Sequence, residues 1–174
     1  MIHNLSWRVA CGEWKTHAEQ SAAARRLLLQ LAGSGIVAYR DSGAPFLPEH
    51  PELHISISHC RTAVAVAVCA DRPVGIDIEC RRSINTSLIQ RVCTAEENTL
   101  IQQSSDPTMA FLRLWTRKEA VLKCRGTGIK GFGSMVEALK SDEMELHDLP
   151  VEHPDTVCSL ATVKDAAPSA SRQD

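Results

Sequence analysis

Val74-Gly75-Ile76-Asp77-Ile78-Glu79 is the stretch on which the reading of this chain turns. Its length and β-branched residues fit a short buried strand. Side chains alternate along a strand, so Asp77 and Glu79 share one face, about 7 Å apart, and Ile76 and Ile78 share the other. Two like charges at that spacing repel unless a cation lies between them. Hard carboxylate oxygens suit Mg²⁺, which often takes one or two carboxylates and completes its shell with water and phosphate oxygens. Taken alone, Asp-x-Glu fits an edge strand with its polar face in water better. A second stretch, Trp115-Thr116-Arg117-Lys118-Glu119-Ala120-Val121-Leu122-Lys123, reverses that balance.

Trp115, Glu119 and Lys123 are spaced i, i+4, i+8 and form one row on a helix. An isolated Glu–Lys pair at this spacing is normally a solvated pair worth a few tenths of a kcal/mol. This row begins at a tryptophan and is flanked by leucines, so its start borders the core. Glu119 is therefore a candidate third oxygen ligand beside Asp77 and Glu79. The Lys123 ammonium, one turn on, then lies beside whatever anion the ion binds. A cation and a positive side chain around phosphate oxygens, with a carboxylate near the attacking hydroxyl, is the layout of a phosphoryl-type transfer site.

Outward from these two stretches, the elements follow from local signals. Thr16-x-x-Glu19 is a capping box, and a helix is predicted from there to about Ala32, stopped by Gly33. Arg25 and Arg26 on it point about 100° apart; they are either solvated or a phosphate contact. Asp41 to Glu52 holds three prolines and a glycine and is predicted to be a loop. Leu53 to Ser58 alternates between Leu53, Ile55, Ile57 and His54, Ser56, Ser58, which predicts a half-buried strand. The Ala/Val run from Thr62 to Ala70 predicts a strand covered on both faces. With short connections throughout, Leu53 to Glu79 is expected to form a three-stranded antiparallel meander. Thr94-x-x-Glu97 opens a further helix. Asp106-Pro107 caps the long helix to Arg125, with Gly126 beyond it. Ser134-x-x-Glu137 starts a short helix, and Met144–Leu149 and Thr156–Val163 are the last strands. Asp165 to Asp174 is expected to be a disordered tail.

Composition narrows the function classes. The chain has 174 residues, 44% of them apolar, enough for a packed core. No apolar run approaches the roughly 18 residues of a membrane span, and Met1 to Trp14 lacks a signal-peptide pattern. A net charge of −2 gives no bulk electrostatic case for nucleic acid. The seven cysteines include no Cys-x-x-Cys and are widely separated, so they are read as reduced thiols of a cytoplasmic protein.

Four segments together carry a resemblance: Pro45-Phe46-Leu47-Pro48, Ile57-Ser58-His59, Val74 to Glu79, and Trp115-x-x-Lys118-Glu119-Ala120-x-x-Lys123. In this order and separation they resemble the 4′-phosphopantetheinyl transferases, specifically the surfactin-synthetase type with two similar halves in one chain. The resemblance spans roughly Ala22 to Val163. It implies an α+β fold of two similar halves packed as a pseudo-dimer in a monomer. Residues 1–73 would form the half that holds the nucleotide end of coenzyme A, and residues 74–164 the half with the metal and the transfer chemistry. The implied reaction moves the phosphopantetheine arm of coenzyme A onto a serine of an apo acyl or peptidyl carrier protein. It depends on Mg²⁺ and releases adenosine 3′,5′-bisphosphate; the context is fatty-acid, polyketide or nonribosomal peptide synthesis. By resemblance, Asp77, Glu79 and Glu119 are metal ligands, Glu119 is also the base, and Lys123 lies near the pyrophosphate. Ser58 and His59 correspond to contacts with the 3′-phosphate end, Arg25 to an arginine that helps hold the nucleotide, and Lys118 to a coenzyme-site lysine.

The chain departs from the family pattern at three places. Gly43-Ala44-Pro45 stands where Gly-Lys-Pro is frequent, so a phosphate-binding lysine is missing. The segment before the first helix is short. Val92-Cys93 replaces frequent aromatics. Two other readings stay open on these residues: a non-catalytic relative that binds a carrier protein or another partner, and an unrelated Mg²⁺-dependent phosphohydrolase or nuclease.

Overall fold

The computed structural model describes residues 4–128 and 132–164. Strand β1 (Leu5–Cys11) leads into helix α1 (His17–Ala32), a two-residue hairpin β2 (Ala38–Tyr39) and β3 (Pro45–Phe46), then β4 (His54–His59) and β5 (Ala63–Cys69). Strand β6 (Val74–Cys80) precedes helices α2 (Thr86–Val92), α3 (Ala95–Gln103), α4 (Pro107–Cys124) and α5 (Phe132–Glu137), and the chain closes with β7 (Met144–Leu149) and β8 (Thr156–Val163). This is an α+β chain. The expected tail, 165–174, lies outside the described residues.

The ends of α1 and α4 are set where the sequence chemistry places them, whereas α5 ends at Glu137 and contains Ser134, so Ser134-x-x-Glu137 does not start it. The Glu19 N–H donates to Thr16 Oγ1 at 3.2 Å, and the Glu19 carboxylate accepts from the N–H groups of Thr16 and Lys15. Two orphan donors of α1 are satisfied by this reciprocal pair. Asp106 caps α4 by accepting from the Met109 N–H at 3.1 Å, and Pro107 follows at the first helical position, where no N–H is needed. At the other end the Gly126 and Thr127 N–H groups return to the carbonyls of Lys123 and Leu122, and Gly126 takes the positive φ of 67° that this reversal requires.

The strands form two three-stranded antiparallel sheets, ordered β1-β5-β4 and β6-β8-β7, with β2 and β3 as a separate pair. The meander expected over Leu53–Glu79 is therefore correct only for β4 and β5. Both edges of β5 are already occupied, by β1 and β4, so β6 has no place beside it. Instead β6 pairs with β8 over seven positions, Val74 with Thr162 through Cys80 with Thr156. The prolines of Asp41–Glu52 also did not exclude the short β2–β3 pair, which aligns Ala38 with Phe46 and Tyr39 with Pro45.

Strand β5 is buried along its whole length, and its alternation sorts by size. Val64, Val66 and Val68 pack beneath Ala24 and Leu28 of α1. Ala63, Ala65 and Ala67 meet Val74, Ile76 and Ile78 of β6. Small residues on that side bring the two sheets close. A third cluster joins Ala120, Val121 and Leu122 of α4 to Val157 and Ala161 of β8.

On β4 both faces are covered: Ile55 and Ile57 pack against the core under α1, as the alternation predicts, and the serine face is buried as well. Ser56 and Ser58 are 4% and 8% exposed, more deeply buried than Ile55 and Ile57. The cause is β6, whose free edge lies against them. The Ser56 and Ser58 hydroxyls accept from the backbone N–H groups of Ile76 and Ile78 at 3.0 and 3.2 Å. Buried edge donors need partners, and two serine side chains supply them in place of a backbone ladder.

Gly75 sets how closely α4 approaches β6. A Cβ there would lie 1.9 Å from the Ala120 carbonyl oxygen and 2.6 Å from the Cys124 backbone nitrogen. With only hydrogen at that point, the helix settles onto the strand and carries Glu119 and Lys123 to the Asp77 face.

Candidate active site

Asp77 is the polar centre of this helix–strand contact, 6% exposed. Its Oδ1 accepts from the Lys123 ammonium at 2.7 Å and from the Ser58 hydroxyl at 2.8 Å. Three elements thus meet on one oxygen. Lys123 Nζ also donates to the carbonyls of Ile76, at 3.1 Å, and Ile57, at 3.5 Å. The Lys123 ammonium forms its ion pair with Asp77, so the row on α4 is not a solvated Glu119–Lys123 pair.

The other two carboxylates stand in the same field. Glu119 has its pKa pushed up to about 7, first by burial and then by the charge of Asp77, with Glu79 adding to it and Lys123 opposing. Glu79 is also raised, mainly by burial; Arg82, which donates to it at 3.3 and 3.4 Å, pulls the other way. Carboxylates that raise one another are short of positive charge.

The donor set suits a hard divalent ion in kind. Asp77 Oδ2 is buried and has no hydrogen-bond partner, an acceptor that a cation would satisfy. Among the described residues, no three such side chains are close enough to hold an ion as they stand. A shell built from Asp77, Glu79 and Glu119 would require these side chains to draw together.

Beside this cluster lies a cavity of about 620 Å³. Ser58 and Lys123 line it, and both bond to Asp77, so the carboxylate is one hydrogen bond behind the cavity wall. Arg25 and His59 line the same space, as does Ala44. Arg25 is half-buried and held by its N–H to Ser21 Oγ at 3.1 Å, whereas Arg26 points to solvent. That resolves the choice between the two arginines. The His59 pKa is lowered, first by burial, then by the charges of His17, Lys123 and Arg25. Its Nδ1 is buried without a partner.

Lys118 is the candidate residue that the structure takes elsewhere. Its side chain is 1% exposed, and its ammonium donates to the Val92 carbonyl at 2.8 Å and to Glu97 at 2.6 Å. Helical periodicity explains this: one position before Glu119, it faces α2 and α3 rather than β6. Val92 and Cys93, noted for lacking aromatics, are core residues there.

Sequence reasoning missed His17 and Tyr39, both of which line the cavity. For His17 the signal was available. His17, Ser21 and Arg25 share the i, i+4, i+8 spacing that identified the row on α4, and all three reach the cavity. Tyr39 arrives through the β2–β3 pair, which the proline-rich loop concealed.

Residues 73–168 match the sequence profile of the 4′-phosphopantetheinyl transferase superfamily. The chain is similar to 4′-phosphopantetheinyl transferase psf-1 of Bacillus pumilus, 36% identical over 112 residues, 63% of this chain and 48% of that protein. It is 30% identical over 119 residues to 4′-phosphopantetheinyl transferase Sfp of Bacillus subtilis strain 168, covering 66% of this chain and 52% of the relative. A 70-residue stretch, 37% of this chain, is 40% identical to 4% of the fatty acid synthase alpha subunit hexA of Dothistroma septosporum. The chain spans about half the length of the two bacterial relatives.

Proposed function

Because the chain belongs to the 4′-phosphopantetheinyl transferase superfamily, we propose that it transfers the 4′-phosphopantetheine arm of coenzyme A to a serine of an apo acyl or peptidyl carrier protein. The observation that carries this reading is the placement of Asp77, through Lys123 and Ser58, directly behind a cavity also walled by Arg25 and His59. Coenzyme A carries a pyrophosphate and a separate 3′-phosphate, so it needs positive charge at two places. Lys123 serves the first, and Arg25 and His59 the second. A guanidinium grips phosphate with paired hydrogen bonds, and Ser21 already fixes the Arg25 fork.

Asp77, Glu79 and Glu119 would hold Mg²⁺, which when bound would supply positive charge to the pyrophosphate as its bridging bond breaks. The serine Oγ attacks the β-phosphorus; the Oγ–P bond forms as the bond to the bridging oxygen breaks and adenosine 3′,5′-bisphosphate departs. The serine proton passes to Glu119, directly or through one water. Lys123, tied to Asp77 and two carbonyls, holds its ammonium in a fixed place, so less reorganisation is needed as charge develops. Lys118 acts at a distance by locking α4 to α3. Residues 1–73 and 74–164 act as two halves of a pseudo-dimeric monomer, with the coenzyme lying along their seam.

The test is incubation of the chain with coenzyme A, Mg²⁺ and an apo carrier protein, followed by intact-mass measurement of the carrier. The expected result is a gain of one phosphopantetheine that chelation of Mg²⁺ prevents. A carrier that binds but gains no mass identifies a non-catalytic relative. Coenzyme A hydrolysis without a carrier identifies a phosphohydrolase.

A further inference from the structure

The row His17–Ser21–Arg25 on α1 offers the cavity one permanent positive charge, that of Arg25. The facing wall at Ala44 offers none, and the Lys123 ammonium, bonded to Asp77 and two backbone carbonyls, is assigned to the pyrophosphate and not to the 3′-phosphate. A phosphate monoester brings between −1.5 and −2 charges near neutral pH, roughly, so one guanidinium leaves it under-compensated. Among the described residues that line the cavity, the remaining cationic capacity is a pair of imidazoles. His17 and His59 meet edge to face, with ring centroids 4.7 Å apart and planes at 78°. His59 leaves a buried ring nitrogen with no partner.

Resting on the coenzyme reading above, we propose that His17 is a binding residue for the 3′-phosphate of coenzyme A, and that His59, packed against it, takes up a proton as that phosphate binds. Without ligand, protonation of His59 is opposed by its burial and by His17 and Arg25 of α1 and Lys123 of α4. Two imidazolium rings at this distance repel; a dianion beside them removes the repulsion and favours the charged form. The sign of the linked proton is diagnostic. A phosphate gripped by permanent cations alone sheds its residual proton on binding. A phosphate that meets the neutral His59 favours its charged form and takes a proton up, so affinity falls as pH rises. The limit is about tenfold per pH unit for each whole proton.

Isothermal titration of the full chain with coenzyme A and with 3′-dephospho-coenzyme A, in two buffers of unlike ionisation heat near pH 7.5, measures this directly. The expected result is net proton uptake with coenzyme A and none with the dephospho form. Coenzyme A affinity should weaken several-fold from about pH 6.5 to 8, while that of the dephospho form stays flat. His17 is exposed at the start of α1, so His17→Gln and His17→Lys leave the core intact. His17→Gln should lower coenzyme A affinity several-fold with little change for the dephospho form. His17→Lys, with a fixed charge, should keep the affinity and reduce the proton uptake. Proton release or no proton with coenzyme A, or equal weakening of both ligands by His17→Gln, overturns this inference alone. Failure of both ligands to bind overturns the coenzyme reading with it.

Discussion

Asp77 and Glu119 divide the work of one buried site through their surroundings. Asp77 is compensated by Lys123 and Ser58. Glu119 is buried beside two other carboxylates and held near 7. Its folded pKa exceeds the ordinary 4.5, so the folded state binds more protons than the unfolded chain between these values. Stability from this group is complete below about pH 4.5 and is lost as pH rises through about 7. In metal-free protein, urea unfolding should show Glu119→Gln gaining on wild type across that window and levelling off above it. Mg²⁺ should narrow the gap by stabilising the wild type alone. A gap that is constant with pH would mean that Glu119 is not held neutral. At Ala44 the expected change is a gain. The position lines the cavity with Arg25 and His59, so Ala44→Lys adds a charge where a phosphate would lie. A charge contact of this kind is worth on the order of 1 kcal/mol. Coenzyme A should bind several-fold tighter and 3′-dephospho-coenzyme A almost unchanged; equal tightening of both would show a general charge effect instead.

Two elements, β6 and α4, make the site by approaching each other without a side chain between them at Gly75. Gly75→Ala drives a methyl into the Ala120 carbonyl and the Cys124 nitrogen, backbone atoms that cannot rotate away. Overpacking of this kind costs about 1–3 kcal/mol, and a lower urea midpoint should come with loss of transfer, because α4 must lift Glu119 and Lys123 off β6. Lys118 separates structural from chemical roles on the same helix. Lys118→Met removes the partner of Glu97 inside the protein and should cost about 3 kcal/mol. The KM for coenzyme A should stay near wild type; a large KM change with unchanged stability would return Lys118 to the cavity. Both elements were legible in the sequence, because capping residues and an i, i+4, i+8 row are local signals. The close approach at Gly75 and the inward turn of Lys118 were not, since each depends on which element packs against which face. The same limit hid the buried serines of β4: alternation shows that two faces differ, and only β6 determines that the serine face is covered as well.

Across the whole molecule the two sheets repeat one connectivity: strand, helical segment, strand, strand, with the last strand in the middle. They are stitched by side chains rather than by a shared ladder, through Ser56, Ser58 and the Thr62–Thr156 hydroxyl contact at 2.9 Å. Local sequence patterns suggested strands β4 to β8 but not this division, because pairing is settled by which strand edges are already taken. The seam places Arg25 and His59 from one side of the chain and Lys123 from the other around one cavity. Among the described residues no helix is long and apolar enough to cross a membrane, and all seven cysteines are free thiols. If the seam holds coenzyme A for transfer, bond making to the carrier and bond breaking in the coenzyme are one event. The most direct measurement is the ratio of adenosine 3′,5′-bisphosphate released to carrier serine modified, taken in a single reaction with Mg²⁺. The account predicts one to one, with both products falling at least ~100-fold together in Asp77→Ala while its circular dichroism stays that of the wild type. Bisphosphate released without carrier modification, or wild-type turnover by Asp77→Ala at saturating Mg²⁺, would contradict it.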